Sequence, residues 1–220
     1  MVFLTFFIVL IGWIFSLCLH EFSHAIVAYN GGDYTVREKG YLSFNPLKYT
    51  HPIFSIVLPL IFLLLGGIGL PGGAVYIETW RIRSRKWLSL MSLAGPTANL
   101  VVAIILGIVL RLAPVSPTGI WPALSFLLVL QISAVLFNLI PLPPFDGYNA
   151  LEPYLPFNIR ETVNQFRSMA IWVILLLFWY VPVVGDVFWG AVQSISTALG
   201  ANWVLVAIGL DQFQFWKHLF

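Results

Sequence analysis

VFLTFFIVLIGWIFSLCLHEFSHAIVAYN, Val2 to Asn30, is almost wholly apolar up to Leu19 and then admits His20, Glu21 and His24 without losing its hydrophobic character. Its length decides the fold class. At 1.5 Å of rise per residue, about 20 apolar residues carry a helix across the ~30 Å hydrocarbon layer of a bilayer. The stretch lacks the basic leader and the small-x-small cleavage site of a secretory signal, so it reads as a mature transmembrane helix over about 3–29. Asn30-Gly31-Gly32-Asp33 closes it as stop and turn.

The rest of the chain has the same composition. Of 220 residues, 60% are hydrophobic and 9% charged, against about 25% charged residues in soluble domains. No linker, low-complexity tract or internal repeat interrupts it, so residues 1–220 read as one membrane domain embedded in the lipid bilayer. A net charge of +2, with its basic residues in short loops, excludes a nucleic-acid partner. A lone cysteine, Cys18, forms no disulfide within the chain.

Residues 33–50 form a polar loop with enough Tyr, Thr, Val and Phe for short strands. The run Ile53–Leu70 is apolar, but Pro59 interrupts it and Gly66, Gly67 and Gly69 weaken its end. Helices follow at about 88–110 and 121–140, then a longer loop at 141–167, a helix at about 169–184 and a weaker one at about 187–209. The expected fold is an all-α polytopic membrane protein of about five transmembrane helices, with a re-entrant or short β element between the first and second.

An ionised side chain in the middle of a membrane helix costs about 2.5–3.5 kcal/mol on insertion scales, so His20, Glu21 and His24 call for a role. His-Glu-x-x-His on a helix sets two imidazoles one turn apart on one face, where both reach a single ion. The glutamate between them can lean toward a water on that ion as general base. The pattern is that of a zinc hydrolase, with Zn2+ the expected cofactor. A tetrahedral catalytic zinc takes three protein ligands and keeps one position open for water. His51, Glu78, Asp146, Glu152, Asp186 and His218 are the candidates for the third. Asp146 stands out, because it follows an apolar helix in NLIPLPPFDGYN, where three prolines break the ladder and Gly147 permits a tight turn. Broken backbone at membrane depth is tolerated where it lines a cavity.

HEFSH on the first helix, SLAGPTANL on a middle one and FNLIPLPPFDGYN at the end of a later one resemble the site-2 protease family of intramembrane zinc metalloproteases. The likeness covers roughly residues 15–155, including the linking text GGDYTVREKGYLSFNPLKYTHP. It implies that His20, His24 and Asp146 ligate zinc and that Glu21 is the catalytic base. It also implies that Asn138 holds the substrate backbone and that Asn99 matches a further family position, where an Asn bonding helix to helix is an equal account. The substrates implied are transmembrane proteins, with Edge strands from 34–44 or 70–78 clamping the unwound segment. The chain departs from the family in two ways. The family often carries an Asp before the proline that here follows His51, and no PDZ or CBS module is present, which makes this a minimal form.

A shared zinc requires the first helix and the one at 121–140 to run parallel, which holds only if Ile53–Leu70 does not cross. In that arrangement, with both last helices crossing, all Lys and Arg except Arg111 share one side, a positive-inside pattern; a surface position for 187–209 moves only Lys217. The expected protein is therefore an integral protein of the cell membrane with its active site toward the cytosol. The competing reading is a catalytically silent scaffold or chaperone for transmembrane segments.

Overall fold

A computed structural model describes residues 2–48, 75–112 and 116–218. Three long helices set the frame: α1 (Val2–Gly31), α3 (Arg85–Leu112) and α4 (Trp121–Asn138), with the one-turn helix α2 (Thr35–Glu38) after α1. The direction of each follows from its contacts. The Met91 carbonyl of α3 meets His24 of α1, and Asn99 meets Ser16, so α3 runs antiparallel to α1. Gln131 of α4 also meets Ser16, and the chain beyond α4 brings Asp146 against His20 and His24, so α4 runs parallel to α1. The parallel pair expected from the sequence is present. Helix α4 is the central one, contributing Leu127, Leu128, Ile132 and Phe137 to the core. Small residues allow the close crossings: a Cβ on Gly12 would strike Leu127, and one on Gly209 would strike the Pro122 carbonyl.

The segment after α1 returns to the end it left. The Arg83 N–H donates to the Gly31 carbonyl at 2.9 Å, and Ile82 and Trp87 close over Gly31. Asp33, fully buried, accepts from Thr35 and from the Glu78 N–H, tying the two ends of this excursion together. Phe44 stacks on Phe15 and Phe22, so the chain there turns back along the flank of α1. The strands expected in 34–44 are absent. Thr35–Glu38 is a helical turn, because the Asp33 carboxylate captures the Thr35 N–H and hydroxyl and Val36 is buried among Ala25, Ala28, Ile82 and Met91. Local capping and burial outweigh β propensity. Val75–Glu78 also pairs with no strand, and the run Ile53–Leu70 lies outside the described residues.

The expected loop at 141–167 holds two short helices, α5 (Asp146–Leu151) and α6 (Phe157–Gln165), before α7 (Arg167–Tyr180). The weaker helix expected at 187–209 is two helices, α8 (Pro182–Leu199) and α9 (Trp203–Phe213), bent by 114°. Gly200 ends α8 at φ +116°, and the Asn202 side chain accepts from Val204 and Leu205 to start α9. Helix α9 folds back onto the opposite end of the bundle, where Gln212 accepts from the Thr5 hydroxyl and Phe213 stacks on Phe6. Phe215 packs against Phe3 and Phe6, so Lys217 sits with Arg111 and not with the other cations. This corrects the expected charge split by one residue. Among the described residues, three helices are long and apolar enough to cross a membrane, or up to five if each bent pair is one span.

Candidate metal centre

The two histidine side chains and one carboxylate come from distant parts of the chain and meet at one point. His20 Nε2 and His24 Nε2 are 3.0 Å apart, and Asp146 Oδ2 lies 3.2 Å and 3.3 Å from them. An ion held tetrahedrally by bonds of about 2.0–2.2 Å separates its ligand atoms by about 3.3–3.6 Å, so this spacing is close to what a zinc-sized cation takes. The chemistry of the donors agrees. His24 Nδ1 lies 2.7 Å from the Met91 carbonyl, which requires its N–H there and leaves a lone pair on Nε2. That lone pair faces a second imidazole and a carboxylate oxygen that has no hydrogen-bonding partner. Acceptors converging on one another are stabilised by a cation between them.

Local sequence explains how the three groups come so close. Gly95 of α3 packs directly on the pair: a Cβ there would lie 2.4 Å from His24 Nε2 and 2.5 Å from His20 Nε2. Gly147 does the same for Asp146, since a Cβ would lie 2.3 Å from the Leu139 carbonyl and block the turn that folds α5 under the end of α4. Pro141, Pro143 and Pro144 keep the intervening residues out of helix.

Known proteins align with nearly the whole chain. "Putative zinc metalloprotease Rip2" of Mycobacterium tuberculosis is 41% identical over 218 residues, spanning 98% of this chain and 83% of the relative. Its namesake from Mycolicibacterium smegmatis is 40% identical over the same span. YwhC of Bacillus subtilis, named in the same terms, is 33% identical over 184 residues, 80% of this chain and 81% of the relative. The chain belongs to the Rip2/YwhC family of zinc metalloproteases. No family model matches it, and no solved structure matches it significantly.

In this Rip2/YwhC-type chain the histidine pair, Glu21 and Asp146 line a cavity of about 860 Å3. Glu21 is 3% exposed, and its Oε2 accepts from the Val75 N–H at 3.0 Å. Asn138 and Asn99 line the same cavity. The Asn138 amide donates to the Ala134 carbonyl one turn back, and Asn99 Oδ1 lies 3.3 Å from the Ser16 hydroxyl, a contact between helices. Among the described residues, no other candidate for a third ligand joins His20, His24 and Asp146. Glu78 pairs with Lys39 and Arg81, Glu152 accepts from Asn164 at the cavity wall, and Asp186 is exposed on α8. His51 and the His218 side chain lie outside the described residues. Sequence reading missed the Met91 carbonyl and the Val75 N–H, since backbone groups leave no signature in residue type. Gly95 is visible in the sequence only as part of SLAGPTANL.

Proposed function

We propose that this chain is an intramembrane zinc endopeptidase of the site-2 protease type, hydrolysing a peptide bond within or near a transmembrane segment of membrane-protein substrates. What carries the reading is the convergence of His20, His24 and Asp146 at the spacing of a tetrahedral ion, with the buried Glu21 carboxylate lining the same cavity. The ion, when bound, lowers the pKa of its water and polarises the scissile carbonyl. Glu21 takes the proton of the attacking water as the new C–O bond forms and delivers it to the leaving amine as the C–N bond breaks. The Val75 N–H on Oε2 orients that carboxylate. Asn138 offers an amide donor and acceptor to the backbone of the unwound substrate. Asn99 works from below, holding α3 to α1 through Ser16.

The location follows from charge. Arg37, Lys39, Lys48, Arg81, Arg83, Arg85, Lys86, Arg160 and Arg167 gather at the metal end of the bundle, leaving Arg111 and Lys217 at the other. By the positive-inside rule the metal end faces the cytosol of a cell membrane.

Glu21→Gln tests the reading, since an amide nearly matches the carboxylate in shape yet cannot take the proton. Zinc content of the purified variant is expected to equal wild type. Cleavage of single-pass reporter proteins in proteoliposomes is expected to fall by about 10²–10⁴-fold, the usual cost of losing a general base. A variant that keeps most of the wild-type turnover removes Glu21 from that role. A zinc-loaded wild type that binds the reporters and cleaves none favours the scaffold reading.

A further inference from the structure

The cavity that holds the histidine pair continues past Asp146 to a wall built by α5, α6 and the start of α7, where Asn149, Glu152, Arg160 and Arg167 line it. Polar side chains tie these elements together. Arg167 donates to Asn149 Oδ1 at 2.9 Å, and Asn164 donates to Glu152 Oε1 at 2.7 Å. Asn149 follows Asp146 by about one helical turn, a rise of about 5 Å, so the Arg167 guanidinium is fixed near the metal end of the cavity. Arg160 is half-buried, with its guanidinium carbon 5.8 Å from the centre of the Phe157 ring.

Neither arginine forms an ion pair among the described residues, and the carboxylate beside them, Glu152, is held by an amide. Glu161 is exposed and lies outside the cavity lining. At the metal end, Glu21 and Asp146 balance the two positive charges of a zinc ion. The wall beyond is left with two cations against one anion. A carboxylate entering there meets guanidiniums with N–H donors to spare, and an ammonium is repelled.

The position of the arginines decides which part of a substrate they meet. Arg167 is the first residue of α7, at the corner where the polar helix α6 turns by 70° into an apolar one. That corner marks the depth at which a transmembrane segment leaves the bilayer, and by the positive-inside rule most segments carry Lys or Arg on this cytosolic flank. We infer that Arg160 and Arg167 are specificity-determining residues, admitting substrates with an acidic cytosolic flank and rejecting those with the usual basic one. The inference rests on the protease function and orientation proposed above. Rejection is half of such selectivity, because like charges brought together at a binding surface cost more than a missing attraction. The competing accounts are that the arginines only fasten α6 and α7 to α5, or that they hold the phosphates of lipid headgroups.

Labelled synthetic transmembrane peptides that differ only in a flanking pair, Glu-Glu, Gln-Gln or Lys-Lys, separate these accounts. Their binding to the full zinc-loaded chain in phosphatidylcholine vesicles is titrated, and cleavage is followed in the same samples. Wild type is expected to bind the Glu peptide about tenfold more tightly than the Gln peptide, the worth of a hydrogen bond to a charged group, and the Lys peptide more weakly still. The same order is expected in kcat/KM, through KM. Arg160→Glu makes the wall one cation against two anions and is expected to reverse the order, whereas Arg160→Lys is expected to keep it. Arg167→Gln, which still offers Asn149 a donor, is expected to narrow the spread. The order is read within each protein, so a variant that folds only in part still gives it. Equal binding of all three peptides by wild type overturns the inference, and so does a loss in Arg160→Glu that is the same for all three. Affinity that follows added phosphatidylglycerol and ignores the flank assigns the arginines to lipid and overturns it too. A charge order in binding with no cleavage of any peptide keeps the selection by charge and refutes instead the protease reading.

Discussion

Each of the three converging side chains, His20, His24 and Asp146, depends on a residue that lacks bulk or on a backbone atom that has no letter of its own. Gly95 is the clearest case. Its missing Cβ leaves the space that both imidazoles occupy, and contacts of 2.4–2.6 Å would follow from restoring it. Ala is the better helix former by about 1 kcal/mol, so propensity alone favours Gly95→Ala. The clash decides the other way: the rings must shift, and we expect zinc affinity to fall by about tenfold or more in a competition titration. Affinity equal to wild type would mean that the rings swing aside freely. That His20 and His24 belong to one site is legible in the sequence because HEFSH combines spacing with side chains that are costly in a membrane. Asp146 was legible because prolines and a glycine surround it. The support was not, since a carbonyl at Met91 or an N–H at Val75 exists at every residue and only the fold selects which one is used.

At the scale of elements, length and hydrophobicity were sufficient for α1, α3 and α4, whose bounds differ from the expected ones by a few residues. They failed where local hydrogen bonds compete with composition. Asp33 turned an expected strand into α2, and the Gly200–Asn202 corner split an expected helix into α8 and α9. Helices α5 and α6 are too short and too polar to show a period. The run Ile53–Leu70 is where hydropathy and the parallel helices disagree most. Gly31 and Arg83 are joined by a hydrogen bond, and the Lys48 side chain lies against Gly40. Lys48 and Arg83 are therefore expected on one side of the membrane. In a Cys18→Ser background, cysteines at the two positions should react with an impermeant thiol reagent from the same face of oriented vesicles. Labelling from opposite faces would mean that the run crosses.

For the whole molecule, the fold is a device for bringing Asp146 to a histidine pair more than a hundred residues earlier in the chain. Parallel α1 and α4, with α3 antiparallel against both, place the end of α4 beside His20 and His24, and the excursion from Gly31 to Arg83 begins and ends there too. Helix α9 closes the other end, so the cavity, the three converging side chains and all the cations but Arg111 and Lys217 gather at one pole. The proposed function depends on those three side chains holding one ion. The most direct test is the zinc content of the purified full chain, wild type beside His20→Ala, His24→Ala and Asp146→Ala. One zinc per wild-type chain and loss of most of it in each variant is the expected result, and a folded Asp146→Ala protein that keeps its full zinc would contradict it.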